Sequence, residues 1–231
     1  MTNNYITNHL RLLKNRYYSD FEATENVDDF FIKIFDQLKD YDFDNYKKKL
    51  KQEILEGIQY SLKQKTNDTR KLNAIHFEYG GFYYEKDVIA NPFGIFADKP
   101  IEIKPEQTDN IYFKETHELL SQIDIEFGDY ELVYEFYGPC GITLSFFDNL
   151  EQLEYDNLPE KYQEIEENEG IYWEIGCSEL DNAYTFAGFY AVHEVLLELD
   201  KEGAFEIINY DKGFIFTIGL HENAQYLLLI K

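Results

Sequence analysis

Cysteine and proline are scarce in this sequence, and over most of the chain so is positive charge. The two cysteines, Cys140 and Cys177, show no CxxC spacing. That excludes a disulfide framework and a thiolate zinc site, and it fits a reducing compartment. No apolar run approaches the ~20 residues of a membrane-spanning helix. The opening MTNNYITNHLRLLKNRYY has no basic start followed by an apolar core, so no secretory signal is expected. Cytoplasmic placement is the expectation. Phosphate-cradling loops of the GxxxxGKS/T and GxGxxG kinds are absent too.

Constellations for catalysis are equally thin. Histidine is followed by glutamate at His117, His193 and His221, but none has the second histidine four residues on that a helical zinc site needs. His193 lies in an apolar run and reads as a hydrogen-bonded core residue. Asp40, Asp42 and Asp44 imitate the start of a calcium loop, yet Asn45 replaces the turn glycine and Lys51 stands where the bidentate glutamate belongs. Helix capping explains them better. Cys140 in YGPCGI has no spacing that ties it to His117 or His193 as a base. With 45 acidic residues, paired carboxylates at almost any separation are guaranteed, so abundance carries no information about glycoside chemistry. No catalytic residue, metal ligand or cofactor is assigned.

What is present is apolar mass and acid. The 231 residues are 44% hydrophobic and 17% aromatic, enough to bury a full core. The first 75 residues are close to neutral and hold all three arginines, Arg11, Arg16 and Arg70, so the remainder carries essentially the whole formal net charge of −24. Such a field repels nucleic acid and anionic membrane and speeds encounter with a basic partner.

Periodicity divides the chain into a near-neutral helical lobe over 1–71 and an acidic α+β lobe over 72–231. Ile6, Leu10, Leu13 and Tyr17 form one helical stripe. In VDDFFIKIFDQLKD, Val27, Phe30, Phe31, Ile34, Phe35 and Leu38 face inward, with Asn26 as the expected cap. Phe43, Tyr46, Leu50, Ile54, Ile58 and Leu62 line a third helix, capped by Asp42 or Asp44, with Lys47, Lys48, Lys49 and Lys51 outside. Beyond residue 72 the period falls to two. IHFEYGGFYYEKDV, DIEFGDYELVYEF and FEIINYDKGFIFTIG read as hairpin-like, ITLSFF as a strand and YLLLI as an interior strand. Asn91-Pro92, Lys99-Pro100 and Lys104-Pro105 mark an irregular stretch. Helices are expected at 112–122 and 183–203, the second ended by Gly203. The fold class is α+β, a three-helix lobe followed by a largely antiparallel sheet with interposed helices.

In DIEFGDYELVYEF, a Gly128-Asp129 turn would set Glu126 opposite Glu131 and Asp124 opposite Val133. One face is then apolar, and the other carries Asp124, Glu126, Glu131 and Glu135 without a base. Like charges opposite one another destabilise a strand pair, so either the face is merely solvated or it has a binding role. Downstream, Glu151, Glu154, Asp156, Glu160, Glu164, Glu166, Glu167 and Glu169 are interleaved with Tyr155, Tyr162 and Ile165. Acids mixed with aromatics suit capture of Lys and Arg.

The leading expectation is a non-catalytic binding or inhibitor protein that occludes a basic protein surface. In charge alone it is similar to the acidic immunity proteins that neutralise bacterial toxins, and to proteins that imitate the charge of DNA. The partner would be a basic protein, a toxin or a nucleic-acid enzyme, rather than nucleic acid or membrane. The alternatives are a carboxylate-based enzyme on carbohydrate or a metal-bound substrate, and a structural adaptor kept soluble by its acidity.

Overall fold

The computed structural model describes residues 3–64, 70–80, 86–97, 101–105, 123–126, 130–133, 141–168, 170–220 and 225–231. The first part is helical: α1 (Asn3–Ala23), α2 (Asp29–Lys39) and α3 (Phe43–Gln64). Strands β1 (Leu72–Tyr79), β2 (Ile89–Ala97), β3 (Glu102–Pro105), β4 (Ile123–Glu126), β5 (Tyr130–Val133) and β6 (Ile142–Thr143) follow. Three 3₁₀ segments, Ser145–Leu153, Tyr155–Asn157 and Ile171–Trp173, bracket α4 (Glu160–Asn168) and lead into α5 (Cys177–Lys201), β7 (Tyr210–Leu220) and β8 (Gln225–Ile230). The class is α+β, as the change of period predicts.

Helix α5 is the axis of the molecule. It buries side chains all round, including Leu180, Tyr184, Phe189, Val192 and Leu196, and α1, α2, α3 and the Ser145–Leu153 segment all pack on it. At Gly188 an added Cβ would lie 2.1 Å from the Phe146 ring, so this residue sets how closely α5 and the 3₁₀ segment approach. The N-terminal helices bury the stripes read from sequence: Ile6 and Leu10, then Phe31, Ile34 and Phe35, then Tyr46, Leu50 and Ile54. These join one core that continues into the sheet. Helix α3 is capped by Asp42, whose carboxylate accepts the Asn45 N–H at 3.0 Å. The cap of α2 is Asp28 and not Asn26, because Asn26 adopts φ 62° in the preceding turn while Asp28 accepts from the Phe30 N–H at 2.9 Å.

The main sheet runs β5-β2-β1-β7-β8, with β6 also on β2, and β3 pairs with β4 in a separate ribbon. All these pairs are antiparallel except the central one, β1 with β7. Both faces of β1 are covered, since Ala74, Ile75, His76 and Phe77 are buried in succession. Across the parallel pair His76 Nδ1 meets Thr217 Oγ1 at 2.8 Å, and burial pushes its pKa down to about 4, so the ring is neutral at physiological pH. The FEIINYDKGFIFTIG segment is not a hairpin: it is strand only from Tyr210 on, a single strand with a bulge. The register steps from Leu72↔Tyr210 to Ala74↔Ile215, and Gly213 at φ 81° makes the excursion. Asn91-Pro92 lies inside β2 and does not interrupt it. Among the described residues, β6 pairs with β2 at Ile89 and Ala90 and β5 from Gly94 onward, so Pro92 falls in the gap on that edge, where a missing N–H costs no ladder bond.

YLLLI is buried at Leu227, Leu228 and Leu229 although β8 is an edge strand. Helices α1 and α5 cover it, and the Asn3 side-chain amide pairs with both the N–H and the C=O of Ile230 at 2.8 Å, closing the end of the edge as a neighbouring strand would. ITLSFF is a strand only at Ile142–Thr143. Phe146, Phe147, Leu150 and Leu153 bury at helical spacing, and the chain follows them into the 3₁₀ segment. Helix α5 begins at Cys177 and not near Ala183, and Gly203 at φ 76° follows its end. The expected 112–122 helix, Lys99-Pro100 and the side chain of Leu62 lie outside the described residues.

Candidate functional site

The expected acidic hairpin is paired differently. Strand β4 joins β3, which sets Glu126 opposite Glu102 and Asp124 opposite Lys104, while β5 joins β2, which sets Glu131 opposite Phe96. Glu126 and Glu131 are therefore in different sheets and do not form the like-charge pair that the turn implied. A two-residue turn fixes register only if its own flanks pair. Here β2 offers β5 an apolar strand with both faces to cover, and that longer-range pairing prevails. Gly128, Asp129 and Glu135 lie outside the described residues.

The downstream acids are not a loop. Glu151 sits in the first 3₁₀ segment and Asp156 in the second, with Glu154 between them, and Glu160, Glu164, Glu166 and Glu167 are on α4. Glu169 lies outside the described residues. Tyr162 and Ile165, three apart, form the inner stripe of α4 and are not ligand-capturing groups. Tyr162 is 4% exposed, with its ring 5.5 Å from that of Phe30 and 5.4 Å from that of Phe31. Only Tyr155 of the three is exposed. Asp156, Glu160 and Glu164 are exposed, whereas Glu151 and Glu154 are half-buried. Glu166 is turned inward, its carboxylate accepting the Ile171 N–H.

Bases are scarce in this part of the sequence. Between residues 115 and 200 the chain has one lysine and no arginine: Lys161. Its ammonium is paired at 2.5 Å with Asp28, and this hydrogen bond lowers the Asp28 pKa and raises that of Lys161. The α3 lysines expected outside are partly engaged on α5: Lys47 meets Glu194 at 3.3 Å, and Lys51 meets Glu198 and Glu202, both at 2.7 Å. Lys231 ties Asp200 and Glu206, also at 2.7 Å each. Glu194, Glu198 and Asp200 in the C-terminal half of α5 are thus matched along a seam.

Between α4 and α5 lies a feature the periodicity reading missed. Residues 170–176 form a tight turn between two glycines of positive φ, Gly170 at 84° and Gly176 at 91°. Ile171 inside it is buried at 2%, while Tyr172, Trp173 and Ile175 are 43%, 80% and 54% exposed. The signal was in the sequence as an apolar run, IYWEIG, closed by glycine at both ends. No helical or strand period describes a segment this short.

His193 is fully buried, and both ring nitrogens are engaged, with Thr7 Oγ1 at 2.8 Å and the Leu228 carbonyl at 2.5 Å. It is a core histidine. Cys177 is buried as well, and burial together with Asp181, Glu166, Glu179 and Glu174 pushes its thiol up to about 12. Such a thiol stays protonated and inert. Cys140, His117 and His221 lie outside the described residues. No family model, curated protein or solved structure matches the chain.

Proposed function

We propose that the protein is a non-catalytic binding protein, an inhibitor whose acidic surface occludes a basic surface on another protein such as a nuclease-type toxin or a nucleic-acid enzyme. The observation that carries this reading is the sorting of charge. From residue 115 to residue 200 the only Lys or Arg is Lys161, already held by Asp28, while Lys47, Lys51 and Lys231 are engaged by Glu194, Glu198 and Asp200 of α5. Acidity kept only for solubility can be interspersed with bases while the net charge stays well away from zero. A one-sided surface instead raises local potential and accelerates encounter with a basic partner.

The test is to retain basic proteins on the immobilised chain, identify one that binds at a defined stoichiometry, and measure its association rate. Glu160→Lys with Glu164→Lys should slow association about tenfold at low salt. The difference should vanish near 1 M salt, where the field reaches only about 3 Å. Equal rates at low salt would remove the proposal.

A further inference from the structure

We infer that Tyr172, Trp173 and Ile175 form a preorganised apolar knob that seats in an apolar pocket rimmed by Arg or Lys on the partner protein. This rests on the binding reading above and names the contact that holds the complex once charge has brought it together. Large apolar side chains exposed singly are ordinary, but here three crowd into four consecutive positions, led by a tryptophan at 80% exposure. Tryptophan and tyrosine are the residues in which interface energy concentrates.

The segment is held as a rigid presenter. Ile171 anchors it from below, and its N–H is taken by Glu166. The Trp173 N–H donates to the Gly170 carbonyl at 3.2 Å, that of Glu174 to Ile171 at 2.9 Å and that of Cys177 to Glu174 at 3.1 Å. Gly176 is wedged under the α1–α2 turn, where an added Cβ would come within 2.9 Å of Val27. The Tyr172 and Trp173 rings stand edge to face, 6.2 Å apart at 84°. Little conformational freedom is left to lose on docking.

Charge selects among the occupants. Glu166, Glu174, Glu179 and Asp181 lie close enough to Cys177, at the base of the knob, for each to be felt by its thiol. A second copy would bring one acidic rim against another, on chains that each carry −24. An anionic membrane or a nucleic acid is repelled for the same reason. A pocket with a basic rim satisfies both the apolar centre and the acidic surround.

Trp173 is the only tryptophan, so the emission of the intact chain reads this site alone. The probes are short synthetic peptides in three sets: arginine with leucine, arginine with serine, and glutamate with leucine. The arginine–leucine set should shift Trp173 emission to the blue and shield it from acrylamide. Its affinity, read by anisotropy of labelled peptide, should fall at least about tenfold in Trp173→Ala. Circular dichroism checks that the variant is folded. Binding that survives Trp173→Ala but is lost with the Glu160 and Glu164 reversals would overturn the knob and leave the acidic reading standing, as would equal affinity for the arginine–serine set. Failure of both arginine sets would overturn both. A blue shift on phosphatidylcholine or phosphatidylserine vesicles without peptide binding, or one that grows with protein concentration as the chain sediments as a dimer, would overturn the choice of partner.

Discussion

Asp181 offers the sharpest test of the core. It sits in the first turns of α5, 8% exposed, with Oδ1 buried and unpartnered, and burial raises its pKa to about 7. Its charge is felt by Tyr172, Tyr226 and Cys177, none of which is a cation. An aspartate in the unfolded chain titrates near 3.9. The folded state therefore binds the proton more tightly, and this group contributes stability that is complete below about pH 4 and is lost as pH rises toward 7. A shift of about three units corresponds to about 4 kcal/mol, of which roughly 2.5 kcal/mol is lost between pH 5 and pH 8.

Asp181→Asn removes the titration and keeps the shape. Urea unfolding of both chains, followed by far-ultraviolet circular dichroism, should find the variant gaining on the wild type by about 2.5 kcal/mol between pH 5 and pH 8. The difference between chains is the quantity to read, because His76 pulls the other way. Its folded pKa is depressed to about 4, so its contribution grows with pH over that range, but it is common to both chains and cancels. A difference that does not change with pH would show that the Asp181 carboxylate is hydrated or paired, and would refute the reasoning.

Two further outcomes follow from the packing and the charge. Gly188→Ala gains about 1 kcal/mol of helix propensity but drives a methyl into the buried Phe146 ring, so a net loss of about 2 kcal/mol is expected in the same urea assay. Reversing Glu160 and Glu164 to Lys should leave the urea midpoint unchanged or slightly raised, since both side chains are exposed and the change relieves net negative charge; a large fall would mean that these acids support the fold and not a partner.

The helices were legible because each has a long stripe whose period the core enforces: Ile6 to Tyr17, Phe31 to Leu38 and Tyr46 to Ile58 needed no knowledge of their neighbours. The strands were legible as strands but not in their pairing. Nothing in DIEFGDYELVYEF reveals that β2 will take β5 and β3 will take β4, since pairing is decided by what is left to cover once α5 and the central β1–β7 pair are in place. The acids of α4 are evident from composition but their helix is not, because Tyr162 and Ile165 supply just enough of a stripe to dock one short helix. No period marks Trp173, which stands in a segment too short to have one.

Its exposure follows from the flanking glycines, and these can be tested against each other. Gly170 and Gly176 both hold a positive φ, 84° and 91°, but Gly176 with ψ −11° is left-handed helical while Gly170 with ψ 129° is outside that region, so alanine is strained by about 1–2 kcal/mol at Gly176 and by more, about 3 kcal/mol, at Gly170. They differ in space. The nearest atom to a Cβ on Gly170 is 3.8 Å away on Trp173, an ordinary contact, whereas one on Gly176 meets both Val27 methyls, at 2.9 and 3.0 Å, with the Phe21 ring behind. Gly176→Ala must therefore push the turn away from α1 as well as bear the strain, and should cost about 3 kcal/mol, much of it from the clash, whereas the similar cost of Gly170→Ala is backbone strain alone. Gly176→Ala should also shift Trp173 emission in the folded protein, because the anchor of the turn has moved. A cost of only about 1 kcal/mol for Gly176→Ala, with Trp173 emission unchanged, would show that backbone conformation alone shapes this turn and that its seat under Val27 holds nothing in place.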